Sequence, residues 1–282
     1  MATEELATDE TILNIKRLPV TSEEFPFNEW LIKYEQSHIL HSQCSKKGAC
    51  NSCTNINDRC LFCQYTSQLE LPHLPDMVFP NNILLLKHKS GCELKFNALD
   101  ALQRVSNGKL NLQVDVAEAW QEARPGTNLD NRAKKFDWTF TTDYMGTMSN
   151  DFIEEDTSER IDIEKLKQRE KILFFHELSL YEDELHDHGI ASLNVKIRVM
   201  PSSFFILLRY FLRVDNVMAR INDTRIYYEV GSPYLLREYT SKQADYKDLS
   251  LPIAIYTDPS QLAQYLTLKS SNYKKIIIPG AS

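Results

Sequence analysis

The chain has 282 residues, of which 43 % are apolar and 25 % charged, with a net charge of −7 at pH 7 and only 8 glycines. No two glycines are close enough for a dinucleotide fingerprint or a phosphate-cradling loop followed by Lys and Ser/Thr, and no serine sits between glycines as a nucleophile elbow requires. The acidic balance is the wrong sign for a protein that tracks a phosphate backbone, so nucleic acid is not an expected partner.

Residues 1–25 are acidic, lack a sustained apolar period and read as a mobile arm, with one domain expected over 26–280. They contain no basic start followed by an apolar stretch, and the longest apolar run, Phe204 to Leu208, ends at Arg209. No leader and no membrane partner is expected, and the chain reads as cytoplasmic.

Trp30 and Leu31 precede a cysteine-rich stretch at about 40–65. Four of its cysteines form Cys50-Asn-Ser-Cys53 and Cys60-Leu-Phe-Cys63. Each pair can present two thiolates to one tetrahedral zinc, so Cys50, Cys53, Cys60 and Cys63 are expected ligands of a structural zinc ion, with no other cofactor required. The gap between the pairs is short for that geometry, and Cys44, His38 or His41 can replace one ligand. The plain alternative is a loop of reduced thiols without metal.

Beyond Leu71 the rhythm is that of antiparallel strands separated by polar turns. Met77 to Phe79, Ile83 to His88 and Cys92 to Phe96 read as short strands. Asn97 is placed to cap a helix over Ala98 to Val105. Leu110 to Val114 reads as a strand and Ala117 to Ala123 as a short helix. Phe136 to Tyr144 alternates aromatic and polar residues, which predicts a strand with Phe136, Trp138 and Phe140 on its core face. Asp151 to Arg160 is acidic and unpatterned, a predicted loop, and Asp162 can cap a helix from Ile163 to about Lys171.

Phe174 to Leu185, Leu193 to Met200, Phe204 to Val214 and Val217 to Val230 are four consecutive strand-like stretches rich in β-branched and aromatic residues. The nearly continuous apolar run of the third predicts a strand covered on both faces. Tyr234 to Thr240, Asp258 to Leu266 and Lys274 to Pro279 close the chain with mixed short elements. The expected fold class is α+β: a single domain built on a mainly antiparallel β-sheet core with a few short helices.

Two polar runs interrupt this pattern. Glu182 to His188 holds four acids and two histidines. On a strand His186 and His188 would share a face beside Glu184, which admits a metal-dependent hydrolase as an alternative function; a solvated hairpin reversal is the simpler reading. Asn222-Asp-Thr-Arg225 suits a bulge or an exposed edge at which Arg225 and Asp223 read a peptide's backbone or carboxylate, or else an ordinary wet strand face.

The stretch Tyr181-Glu-Asp-Glu-Leu-His-Asp-His-Gly-Ile-Ala-Ser-Leu-Asn-Val-Lys-Ile-Arg-Val-Met-Pro-Ser-Ser-Phe-Phe205 resembles the TIPRL family, regulators of the TOR signalling pathway also called Tip forty-one-like proteins. The resemblance extends through Leu207 to Asp215, Asn222 to Arg225 and Leu236-Arg-Glu-Tyr-Thr240. Upstream it takes in Leu74-Pro-Asp-Met-Val-Phe79, Phe96-Asn-Ala-Leu-Asp-Ala101, Asp137 to Tyr144 and Ile161 to Lys167. It implies a cytosolic, non-enzymatic protein that binds catalytic subunits of type 2A serine/threonine phosphatases, restrains them and connects to TOR signalling and the alpha-four adaptor. It also implies a partner-binding cleft at Asp100, Ile161, Ile221, Asp223, Arg225 and Tyr239. The cysteine-rich stretch has no counterpart in that family, so neither zinc nor a partner carries over to it; a zinc-stabilised adaptor is a further alternative. Ile221 and Asn216 stand where the family pattern has methionine and glycine.

Overall fold

A computed structural model describes residues 20–46, 48–69, 71, 73–105, 138–149, 151–168 and 170–280. Among them the strands form two sheets. The smaller has the order β1 (Thr21–Phe27), β2 (Trp30–Gln36), β4 (Ile83–His88), β5 (Glu93–Phe96), β6 (Thr147–Met148). The larger has the order β3 (Met77–Val78), β8 (Phe174–Asp183), β9 (Gly189–Val199), β10 (Ser203–Val214), β11 (Met218–Glu229), β12 (Tyr234–Asp245), β13 (Thr267–Ile277), β7 (Ile153–Asp156). All the pairings are antiparallel. The helices are short: α1 (Leu61–Gln68), α2 (Ala98–Leu102), α3 (Ile163–Lys167), α4 (Ile253–Tyr256) and α5 (Pro259–Leu262). The α+β class read from the sequence is the observed one, and no described helix is long and apolar enough to cross a membrane.

Strand periodicity decides which residues meet. Phe204, Ile206, Leu208, Tyr210 and Leu212 of β10 alternate toward the inner side, where Val195, Ile197 and Val199 of β9 lie opposite them. These side chains join Trp30, Ile32, Leu84, Leu86, Leu94 and Phe96 of the smaller sheet in one apolar core. Trp30 meets Phe204 and Tyr228 edge-on, with ring centroids 5.6 Å from each. Asn97 and Asp162 cap α2 and α3 as expected, accepting the backbone N–H of Asp100 and Lys165.

Several expectations need correction. Residues 21–25, assigned to the arm, form most of β1, and residues 1–19 lie outside the described residues, as do Leu110–Val114 and Ala117–Ala123. Residues 153–156 of the supposed acidic loop pair with β13 at the edge of the larger sheet. The predicted strand at Phe136–Tyr144 is not one: over its described part, 138–144, the chain has no ladder partner, and Phe140 takes a positive φ of 53°. Aromatic–threonine alternation normally marks one buried and one wet face. Here Thr139, Phe140, Thr141, Thr142 and Tyr144 are all buried.

Three carbonyls of this segment accept hydrogen bonds from side chains of the larger sheet. Tyr210 Oη donates to the Thr139 carbonyl at 2.6 Å, Tyr181 Oη to that of Phe140 at 2.8 Å, and Asn222 Nδ2 to that of Thr142 at 3.2 Å. Thr142 Oγ1 donates onward to the Ala101 carbonyl of α2. The reversal between β8 and β9 is equally constrained. Leu185, His186 and Asp187 all have positive φ, and a Cβ added to Gly189 (φ 151°) would lie 1.9 Å from the Arg213 carbonyl oxygen.

Two substitutions test these constraints. Tyr210→Phe keeps the ring but removes the hydroxyl that donates to the Thr139 carbonyl, and its unfolding free energy in urea should fall by about 0.5–1.5 kcal/mol. Gly189→Ala should cost more than about 1–3 kcal/mol of backbone strain, because the clash with Arg213 forces the hairpin apart as well; a melting temperature equal to wild type would contradict the register at this turn.

Candidate functional site

The outer side of the larger sheet carries two apolar clusters with a polar strip between them. At one end Phe211, Ala219 and Ile221 pack with Leu262 and Leu266 beneath α4 and α5. At the other, Tyr227 and Leu236 pack with Ile161, just ahead of α3. From Ile221 to Tyr227 along β11 is roughly 20 Å at about 3.3 Å per residue. Asp223 and Arg225 lie between these covers, with Arg209 and Leu207 opposite them on β10 and Thr240 and Glu238 opposite them on β12.

This strip is held by one closed ion pair. Arg209 Nε and Nη2 donate to the two carboxylate oxygens of Asp223 at 2.7 and 2.8 Å, and Arg209 Nη1 reaches Ser260 Oγ at 3.1 Å. Asp223 is 3 % exposed and Arg209 13 %. Burial alone would lower the Arg209 pKa; the Asp223 carboxylate outweighs it and the guanidinium is held above its ordinary value. Glu238, also buried, accepts the Ile161 backbone N–H at 2.8 Å and so ties the α3 approach to β12.

Arg225 is different. Its Nη2 makes a single contact, 3.3 Å to Asp223 Oδ2, and the side chain is 29 % exposed. Arg209 already occupies both Asp223 oxygens, so among the described residues most of the Arg225 donors have no acceptor, and a planar fork suits a carboxylate. Beside it, toward α3, a cleft of about 450 Å3 opens between Lys165, Gln168, Arg198, Met200 and Tyr227.

The structure brings together only part of the expected partner-binding set. Ile221, Asp223, Arg225 and Ile161 share the outer side, but Ile221 and Ile161 are 1 % and 4 % exposed under the chain's own covers. Tyr239 lies opposite Thr224, which points inward, so it belongs to the other side; burial first, then the nearby Asp143 charge, raises its phenol pKa. Asp100 sits on α2, on the inner side, bonded to Asn97, Thr147 and Lys95. The Asn222–Arg225 run is neither bulge nor edge: β11 is in unbroken register with β10 and β12. Arg209 was not anticipated, although a lone arginine inside Phe204–Phe211 signals a buried counter-charge.

Two other clusters were expected. Glu184, His186 and His188 fall in the tight β8–β9 reversal and do not form a ligand set; among the described residues the one group of His, Cys, Asp or Glu close enough to hold a metal ion is Cys44, Cys50, Cys60 and Cys63. Cys53 is not in it. It ends the turn at Ala49–Ser52 and directs its thiol toward the carbonyls of Ala49 and Asp58, while Cys44 takes the fourth place. Neither His38 nor His41 belongs to the group. Burial raises the Cys60 thiol, but hydrogen bonds from the Cys63 and Ser45 backbone and the neighbouring thiols bring it down to about 6. Burial and the same neighbours push Cys63 up to about 12.

Removing the Asp223 carboxylate leaves Arg209 buried without its partner, so Asp223→Ala should lose about 3–5 kcal/mol in urea unfolding. Arg225→Ala should lose less than about 1 kcal/mol in the same measurement, because its contact is single and partly exposed.

A family model described as the TIP41-like family matches residues 77–250. The chain is 44 % identical over 261 residues to a human protein named "TIP41-like protein", covering 91 % of this chain and 90 % of that one. It is 32 % identical over 246 residues to "Type 2A phosphatase activator tip41" of Schizosaccharomyces pombe, covering 85 % of this chain and 89 % of that one. To "Type 2A phosphatase activator TIP41" of Saccharomyces cerevisiae it is 37 % identical over 194 residues, covering 62 % of this chain and 54 % of that one.

Proposed function

The chain belongs to the TIP41-like family, and from that membership we propose that it binds the catalytic subunit of a type 2A serine/threonine phosphatase and regulates it stoichiometrically, without catalysis of its own. The observation that carries this reading is the identity to a relative named as a type 2A phosphatase activator over 85 % of the chain. The outer strip of the larger sheet supports it. The polar strip between the two apolar covers receives an extended segment, and Arg225 offers a fork for a carboxylate on that segment.

Within this reading the expected contacts have unequal roles. Arg225 is the residue that meets the partner. Asp223 positions it, since both its oxygens are engaged by Arg209. Ile161 and Ile221 shape the two covers, and Asp100 and Tyr239 lie away from the outer strip and take no part in this contact. The link to TOR signalling, the alpha-four adaptor and a cytoplasmic location come with the same reading. The resemblance implies restraint of the phosphatase, whereas two relatives carry the name activator, so the direction of the effect is an experimental readout.

Capture of a purified type 2A catalytic subunit by the wild-type chain should be measurable, and Arg225→Ala should weaken it at least about tenfold, equivalent to about 1.4 kcal/mol. Phosphatase activity measured in the same mixture gives the sign. Equal capture by folded Arg225→Ala would remove the outer strip as the binding face. Failure of the wild type to capture the subunit would remove the function itself.

A further inference from the structure

We propose that Cys44, Cys50, Cys60 and Cys63 bind one zinc ion as a structural, four-thiolate site. The inference is independent of the phosphatase reading and rests on four observations. First, the four sulfurs all lie within 4.8 Å of one another. A tetrahedron with zinc–sulfur bonds of about 2.3 Å has edges of about 3.8 Å, and the Cys44 and Cys60 sulfurs are 3.8 Å apart. Sulfurs this close surround a single ion and leave no room for a polynuclear iron–sulfur core.

Second, the backbone is arranged as thiolates require. The Cys60 N–H points at the Cys50 sulfur at 3.2 Å. Such N–H donors orient ligating sulfurs and offset their charge. Third, Gly48 adopts a left-handed φ of 89° with open space around it, which turns the chain between Cys44 and Cys50 so that both face the same point.

Fourth, little apolar burial holds this loop, which is tied down mainly by polar contacts such as the Leu40 N–H to the Val78 carbonyl. Among the described residues from 37 to 60 only Cys50 is buried. An excursion of that length with one buried residue, itself a thiol, lacks the apolar area to fix its own conformation, which is the situation in which small modules use a metal. The ion would join three pieces: the turn after β2, the Ala49–Ser52 turn and the start of α1. Cys60 is the residue before α1 and Cys63 lies in its first turn, while Tyr65 and Leu69 further along insert into the main core. The site has no open coordination position, so its role is to dock the loop and helix onto the sheets. Binding displaces the thiol protons, so affinity falls as pH is lowered.

The test is metal content of the full-length chain purified in reductant. Zinc should be found at one per chain, and replacement by cobalt should give the thiolate charge-transfer and ligand-field bands of a tetrahedral sulfur site. Cys44→Ser should lose the ion and Cys53→Ser should keep it, with the cobalt spectrum unchanged. Chelation should lower the melting temperature of wild type and leave that of Cys44→Ser where it is. Zinc near zero in wild type overturns the proposal without reference to any variant, and so does iron in place of zinc. Loss of the ion in Cys53→Ser together with its retention in Cys44→Ser would restore the paired Cys-x-x-Cys set and reject this one.

Discussion

The architecture turns on how residues 139–142 are received. An irregular backbone buried against the sheets, with no strand beside it, has carbonyls that must find donors or cost a full desolvation penalty each. Tyr210, Tyr181 and Asn222, from three different strands of the larger sheet, supply those donors. That requirement explains why polar side chains occur on the inner side of otherwise apolar strands. It also joins the sheet to α2, because Thr142 passes its own hydrogen bond to Ala101.

With the inner side committed to the core and to this segment, the outer side is where the sheet can meet other molecules. There the chain covers its own apolar residues at both ends and leaves a polar strip in the middle. Arg209 and Asp223 neutralise each other in a bidentate pair, a geometry that fixes orientation as well as charge. A consequence is that Arg225 is held beside a carboxylate that no longer needs it. A cation aligned by its neighbour yet left with unused donors is pre-ordered for a carboxylate, which reduces the side-chain entropy lost when a partner docks.

Much of this was legible in the sequence. The stretches from Phe174 to Val230 mark four consecutive hairpinned strands, β8 to β11, to within a few residues, because β-branched alternation and the breaks at Asp187-His-Gly189, Pro201-Ser202 and Asp215-Asn216 act locally. What was not legible depends on register or on long-range closure. The Arg209–Asp223 pair exists only because β10 and β11 align those two positions. Cys44 replaces Cys53 because the left-handed turn at Gly48 brings it round, whereas spacing alone favours the two Cys-x-x-Cys pairs. Residues 138–144 carry a strand's alternation, but side chains, not a neighbouring strand, answer their carbonyls.

The last strand of the larger sheet, β7, bears on the manner in which a partner can approach. Its four residues, Ile153-Glu-Glu-Asp156, are all exposed, three of them are acidic, and Asp156 is paired to Lys274 on β13. A short, charged border strand repels further strand addition, because an incoming chain would have to bury those carboxylates' surroundings to extend the ladder. That border is therefore closed to a segment seeking main-chain pairing. In the proposed binding mode a partner meets the face of the sheet, where side chains rather than backbone do the selecting and where sequence changes in a partner are felt one residue at a time.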